Sequence, residues 1–275
     1  MMDIPLIMII ILGIAAFILI LFRGSMGKGK DDKAYSYGAA MTIGSRQIQS
    51  DAYEVMEQKE SIMAVLADGI GKSYGGKIAS QIAVEAVEEL FESRNALYHP
   101  QYYFRKAFQA ANRRILDTLN GERGGASVVA ILIRNHKLYY ALAGGIKLAV
   151  YRKGELIPVT SGHTIGVLAQ ERYKEGKLTR QEAIGLLEEQ RLYNYVGQEE
   201  FREIEFFDLP VNLYGGEYVV LMSDGLYEGI SWRELEECLG KSTSCKEKAL
   251  EMIEKINCKI YENVGNASVV IVKVL

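Results

Sequence analysis

The order of events between residues 62 and 91, IMAVLADGIGKSYGGKIASQIAVEAVEELF, constrains this chain more than any other stretch. Ile62 to Ala67 form an unbroken apolar run, the pattern of a strand covered on both faces. Asp68 and Gly69 follow at once, so a carboxylate is delivered where the apolar run stops. Gly69, Gly71, Gly75 and Gly76 then give the backbone the freedom of a turn. Beyond them Ile78, Ile82, Ala83, Ala86, Val87 and Leu90 recur at helical spacing, with Lys77, Gln81, Glu85, Glu88 and Glu89 on the other face. A strand, an acid, a glycine loop and a helix in this order place the Asp68 carboxylate and the Gly69 carbonyl where a hard cation could use both oxygens. An ordinary Asp-Gly turn between a strand and a helix has the same pattern.

A second stretch, residues 217–230 (EYVVLMSDGLYEGI), repeats the logic: apolar Tyr218 to Met222, then Ser223, Asp224 and Gly225. Two apolar strands far apart in sequence each end in Asp-Gly. Carboxylates brought by separate strands to one point are what a divalent-metal site requires.

With these two stretches the chain resembles the metal-dependent serine/threonine protein phosphatases of the 2C type. ADGIGKSYGGKIASQIAVEAV is similar to the bacterial pattern of strand, D-G-x-G, glycines and helix, and MSDGLYEG to the later S-D-G. GGASVVAILIRNHKLYYALAGG with YRKGELIPVT resembles the central strands, GKLTRQEAIGLLEEQRLYNYVGQ the flap, and GNASVVIVKV the last strand. The resemblance spans roughly residues 34–275 in family order. It implies an αββα four-layer sandwich of α+β class. It also implies hydrolysis of phosphoserine and phosphothreonine by water activated between two Mn2+ or Mg2+ ions, on a phosphorylated protein substrate or partner.

Carried over position by position, the resemblance makes Asp68 the bridging carboxylate, Gly69 a carbonyl ligand and Asp224 part of the first metal's shell. Asp51 matches an early acid that supports the water of the shell. Arg46 matches the arginine that grips the substrate phosphate, a task suited to a planar guanidinium; outside that register Arg46 reads as a solvated surface residue. Two ligand positions depart from the pattern. Gly265 stands before Asn266 where the family has an acid, and Gly145 stands where the family has the Asp of V-G-D-S, which helps hold a third metal. Ser50 also stands where many members carry an acid or amide. Glu262 is the candidate substitute for the missing ligand. Three readings follow: a weak phosphatase with an impaired first metal site, a pseudophosphatase kept as a phosphoprotein-binding or regulatory module, and a purely structural domain.

Ile4 to Phe22 is a run of apolar residues only. At about 1.5 Å per helical residue it spans roughly 28 Å, close to the hydrocarbon thickness of a bilayer. Asp3 precedes it and Arg23, Lys28, Lys30 and Lys33 follow, an asymmetry that puts the C-terminal side in the cytoplasm. The expected organisation is a transmembrane anchor over 1–22, a charged glycine-rich linker over 23–33, and the phosphatase-like domain over 34–275, held at the cell membrane through residues 4–22. A formal charge of −3 shows no nucleic-acid footprint. A monomer is expected.

Phe104, Ala107, Phe108, Ala111, Ile115 and Leu119 predict a second amphipathic helix closed by Asn120-Gly121. Asn135-His136 and Lys153-Gly154 predict tight hairpin turns. Thr179 with Glu182 and Ser231 with Glu234 predict helix starts by capping box, and a last helix is expected over 246–262. Cys238, Cys245 and Cys258 lack metal-ligand spacing and read as reduced thiols, a single disulfide being the alternative. His99, His136 and His163 read as isolated loop or surface residues.

Overall fold

The computed structural model describes residues 33–275 apart from 59, 72–73, 92–96, 188 and 260–263. The predicted transmembrane run and most of the linker lie outside the described residues. Among the described residues no helix is long and apolar enough to cross a membrane.

The chain order is β1 (Tyr35–Thr42), β2 (Ala52–Gln58), β3 (Ser61–Ile70), α1 (Gly75–Phe91), α2 (Pro100–Leu119), β4 (Gly125–Arg134), β5 (Lys137–Ala143), β6 (Lys147–Arg152) and β7 (Glu155–Pro158). It continues with α3 (Ile165–Lys174), α4 (Arg180–Leu186), β8 (Glu205–Phe206), β9 (Val211–Asn212), β10 (Tyr218–Met222), α5 (Asp224–Gly229), α6 (Trp232–Leu239), α7 (Cys245–Cys258) and β11 (Ala267–Val274). Two antiparallel sheets result. One has the order β1-β11-β10-β6-β7, the other β2-β3-β4-β5-β8, with β9 also paired to β5.

Strand period decides the layering. Along β3, Ile62, Ala64 and Leu66 point between the sheets, where they meet Val219, Leu221, Val270 and Val272 of the other sheet. The alternate residues Met63, Val65 and Ala67 point outward and pack under α1 and α2 through Ala79, Ala83, Phe104 and Phe108. On the far side Val220, Met222, Val269 and Ile271 pack under α5, α6 and α7 through Leu226, Leu235 and Met252. Each large aliphatic side chain so buried stabilises the fold by about 1.5–3 kcal/mol. Helix, sheet, sheet, helix is the four-layer sandwich expected.

Several local expectations hold. Asn120 caps α2 in the left-handed region, and both predicted hairpins turn on pairs with positive φ, Asn135 with His136 and Lys153 with Gly154. Both capping boxes form. The last helix stops at Cys258 rather than 262. A third capping box, Ser244 with Glu247, starts it. All three cysteines are free, Cys238 and Cys245 buried and Cys258 exposed.

One reading needs correction. His163 is no surface residue: it is 6% exposed. Its Nδ1 accepts the Gly144 N–H at 3.0 Å and lies 2.9 Å from Asn194 Nδ2. Burial holds its imidazole below the usual histidine range, so it stays neutral. His163 thereby ties the β5–β6 turn to the segment carrying α3 and α4.

Candidate metal centre

Strand β3 does not end at Asp68. It runs on to Ile70, and Asp68 pairs with Ser127 of β4. The glycines after it serve close approach rather than mere flexibility: a Cβ on Gly69 would stand 2.3 Å from the Gly76 carbonyl and 2.6 Å from that of Ser50. Only hydrogen fits there, so the start of α1 can press against the strand end. From the other sheet, β10 stops at Met222 and Asp224 is the first residue of α5, with Ser223 as its cap.

Asp68, Gly69, Asp224, Arg46, Ser50, Gly265 and Asn266 line one open cleft of about 820 Å³. Asp51 lies behind them, buried, with its Oδ2 accepting the Ser268 hydroxyl at 2.6 Å. Ser268 N–H donates in turn to Ser223 Oγ at 2.9 Å. These two fully buried serines connect the sheet of β10 and β11 to the acid before β2. Among the described residues Asp51 Oδ1 is buried without a hydrogen-bond partner.

The electrostatics follow from burial and crowding. Burial pushes the Asp51 carboxyl up to about 6, against the Ser268 hydroxyl, with the Asp224 charge adding to the rise. Asp68 lies well above the usual carboxylate range, first through burial and then through the charges of Asp224 and Asp51. Desolvation also raises Asp224, opposed by the Gly225 N–H, by Asp68 and by the Arg46 guanidinium. Three carboxyls that resist ionising together, one with an orphaned oxygen, fit a divalent cation with oxygen preferences. Among the described residues no three acidic, imidazole or thiol side chains form a ready cage. The acids interact pairwise, so an ion would draw further oxygens from the Gly69 carbonyl and from water.

Gly265 faces the cleft with no side chain to offer. Gly145 does not line it. It sits in the turn before β6, its N–H donating to Ser127 Oγ at 3.0 Å and its carbonyl accepting the Tyr227 hydroxyl at 2.8 Å. Glu262 lies outside the described residues.

Sequence reasoning missed the work of Asn266. Its Oδ1 accepts the Ser50 N–H at 2.8 Å, and its Nδ2 donates to the carbonyls of Ile43 and Ile48 at 2.9 and 3.1 Å. One amide thus fastens the loop carrying Arg46 and Ser50. Asn266→Ala should lower stability by about 1 kcal/mol, within the usual worth of side-chain hydrogen bonds. The freed loop should raise KM for a phosphopeptide about fivefold, a loss of roughly 1 kcal/mol of binding. Unchanged KM in steady-state assays would show that Arg46 does not depend on this anchor. A serine opening an otherwise apolar strand, in GGASVV and again in GNASVV, was the available signal for Ser127 and Ser268.

No family model matches the chain. A protein phosphatase 2C-type protein of Streptococcus pyogenes serotype M6 is 30% identical over 228 residues, 78% of this chain and 87% of that protein. The chain belongs to the protein phosphatase 2C family. Solved structures repeat the 2C fold. The serine/threonine phosphatase of S. agalactiae superposes with a TM-score of 0.76 at 24% identity, covering 88% of this chain and all of that one. The catalytic domain of the phosphatase PstP, solved with two manganese ions, gives a TM-score of 0.63 at 23% identity, over 88% of this chain and 98% of that one.

Proposed function

We propose that this chain is a membrane-anchored protein serine/threonine phosphatase, its 2C domain in the cytoplasm, with weak activity because one metal ligand is missing. The observation that carries the reading is one cleft uniting Asp68, Asp224 and the Gly69 backbone with Arg46 at the rim. Bound Mn2+ or Mg2+ would lower the pKa of water at that point and screen the charge of a phosphate. Asp68, Asp224 and the Gly69 carbonyl would hold the ions. Asp51 lies behind Asp68, fixed by Ser268, and its charge acts on Asp68. Arg46 presents its guanidinium fork to the phosphate of a phosphoserine or phosphothreonine. Its charge already acts on Asp224.

The pseudophosphatase reading rests on Gly265, which leaves the cleft one carboxylate short. The full chain, expressed in membranes and washed with carbonate, should release phosphate from a phosphothreonine peptide with Mn2+ and lose this activity in EDTA. Activity recovered only in the soluble fraction would sink the anchor. No Mn2+-dependent release, together with retained phosphopeptide binding, would favour the pseudophosphatase.

A further inference from the structure

A second cavity, of about 230 Å³, is lined by Gly145, Lys147, Ser161, Thr164, Gln190 and Tyr227 among others. Tyr227, on its wall, stands three residues after Asp224 on α5, so one short helix contributes to both the cavity and the cleft.

Lys147 opens β6 and is half-buried. Its ammonium sits 4.0 Å from the centroid of the Tyr227 ring and 5.9 Å from that of Trp232. The rings attract the charge but leave an ammonium's three N–H donors without conventional acceptors. Among the described residues the Lys147 ammonium makes no hydrogen bond or salt bridge, although its backbone pairs with Met222 of β10. Glu228 acts on its charge without bridging to it. Thr164 Oγ1 accepts the Val167 N–H as the cap of α3, which leaves its own O–H to donate. The Ser161 hydroxyl and the Gln190 carboxamide line the same space. A fixed cation with unspent donors, ringed by hydroxyl and amide groups, is complementary to an oxyanion.

We propose that this cavity is a specificity subsite for a second anionic group on the substrate, a carboxylate or a second phosphate, with Lys147 as its anchor. The proposal rests on the phosphatase reading and names the substrate class for the same centre. An extended peptide advances about 3.3 Å per residue, so a chain that fills both the cleft and the cavity carries the second anion a few residues from the phosphoresidue.

The test uses the full chain and labelled phosphothreonine peptides carrying alanine, glutamate or phosphoserine two or three residues away. With Mn2+, kcat/KM for the glutamate and phosphoserine peptides should exceed that for the alanine peptide by about fivefold or more, the worth of one charge-assisted hydrogen bond at a half-exposed site. Comparing glutamate with phosphoserine tells which anion is preferred. Lys147→Met should bring the ratio near one, and Lys147→Arg should keep most of it. If no peptide is hydrolysed, the phosphatase reading fails, and fluorescence anisotropy of the same peptides reads the same ratio. Equal values for acidic and neutral peptides in the native chain, or a preference unchanged in Lys147→Met, overturns the subsite.

Discussion

Asp68→Asn should reduce Mn2+-dependent phosphate release by at least about a thousandfold, since metal-assisted attack supplies several kcal/mol of barrier lowering. The same substitution should make the metal-free protein more stable at pH 7.5. Asp68 is crowded by Asp224 and Asp51, and all three carboxyls are raised above their ordinary range. A carboxyl whose pKa rises on folding stabilises the fold while protonated. For Asp51 that contribution is complete below the unfolded value near 4 and is lost as pH rises through about 6. Metal-free native protein should therefore melt lower at pH 7.5 than at pH 5. Mn2+ should reverse this trend by binding the ionised form of the folded state alone. Asparagine removes one charge of the cluster together with a carboxylate that would hold the ion. Differential scanning calorimetry at both pH values, with and without Mn2+, separates the two effects. A variant that keeps its Mn2+ shift would remove Asp68 from the site. A metal-free variant less stable than native would mean that the carboxylate is held for structure.

Asp68 and Asp224 were legible because each stands at the end of an apolar strand run, and period-two burial leaves few ways to stack such strands; Asp51, in a polar loop before β2, had no such signal. Ile62 to Ala67 feed both faces of one sheet, so Asp68 had to come near the end of that strand, two residues before it gives way to the glycine loop. What was not legible depends on partners distant in sequence. His163 looked isolated because Gly144 and Asn194, its hydrogen-bond partners, gain meaning only when the β5–β6 turn meets the returning segment. Ser268 reaches Asp51 across 217 positions of sequence, and Asn266 reaches Ser50 across 216. Such contacts have no periodicity to betray them. Gly145 shows the converse: its register matches an acid of the metal-dependent family, yet it opens on the cavity of Lys147 rather than on the cleft.

Gly265→Asp should tighten Mn2+ binding by at least about tenfold, roughly 1.4 kcal/mol, and raise turnover with it. Room is available: among the described residues a Cβ at this position meets nothing within 4 Å. The backbone presents no obstacle, because Gly265 is not among the glycines with positive φ. The neighbouring Asn266 already holds the loop, so the new carboxylate would enter a formed turn. It faces the same cleft as Asp68 and Asp224, and each added carboxylate oxygen strengthens a hard-cation site. Its effect on the metal-free protein should have the opposite sign to that of Asp68→Asn, because a fourth carboxyl adds to the repulsion. Gly145→Asp should behave differently. Its Cβ would come within 3.1 Å of Leu192 Cδ2, and its charge would fall beside Lys147 rather than in the cleft. It should erode the preference for acidic peptides more than it helps metal binding. Mn2+ titration and turnover of the native chain against Gly265→Asp decide among the readings. A native enzyme already active and unmoved by the change would point to another ligand, with Glu262 the first to replace by glutamine. Two inactive forms that still bind phosphopeptide would mean that the fold is kept for recognition alone.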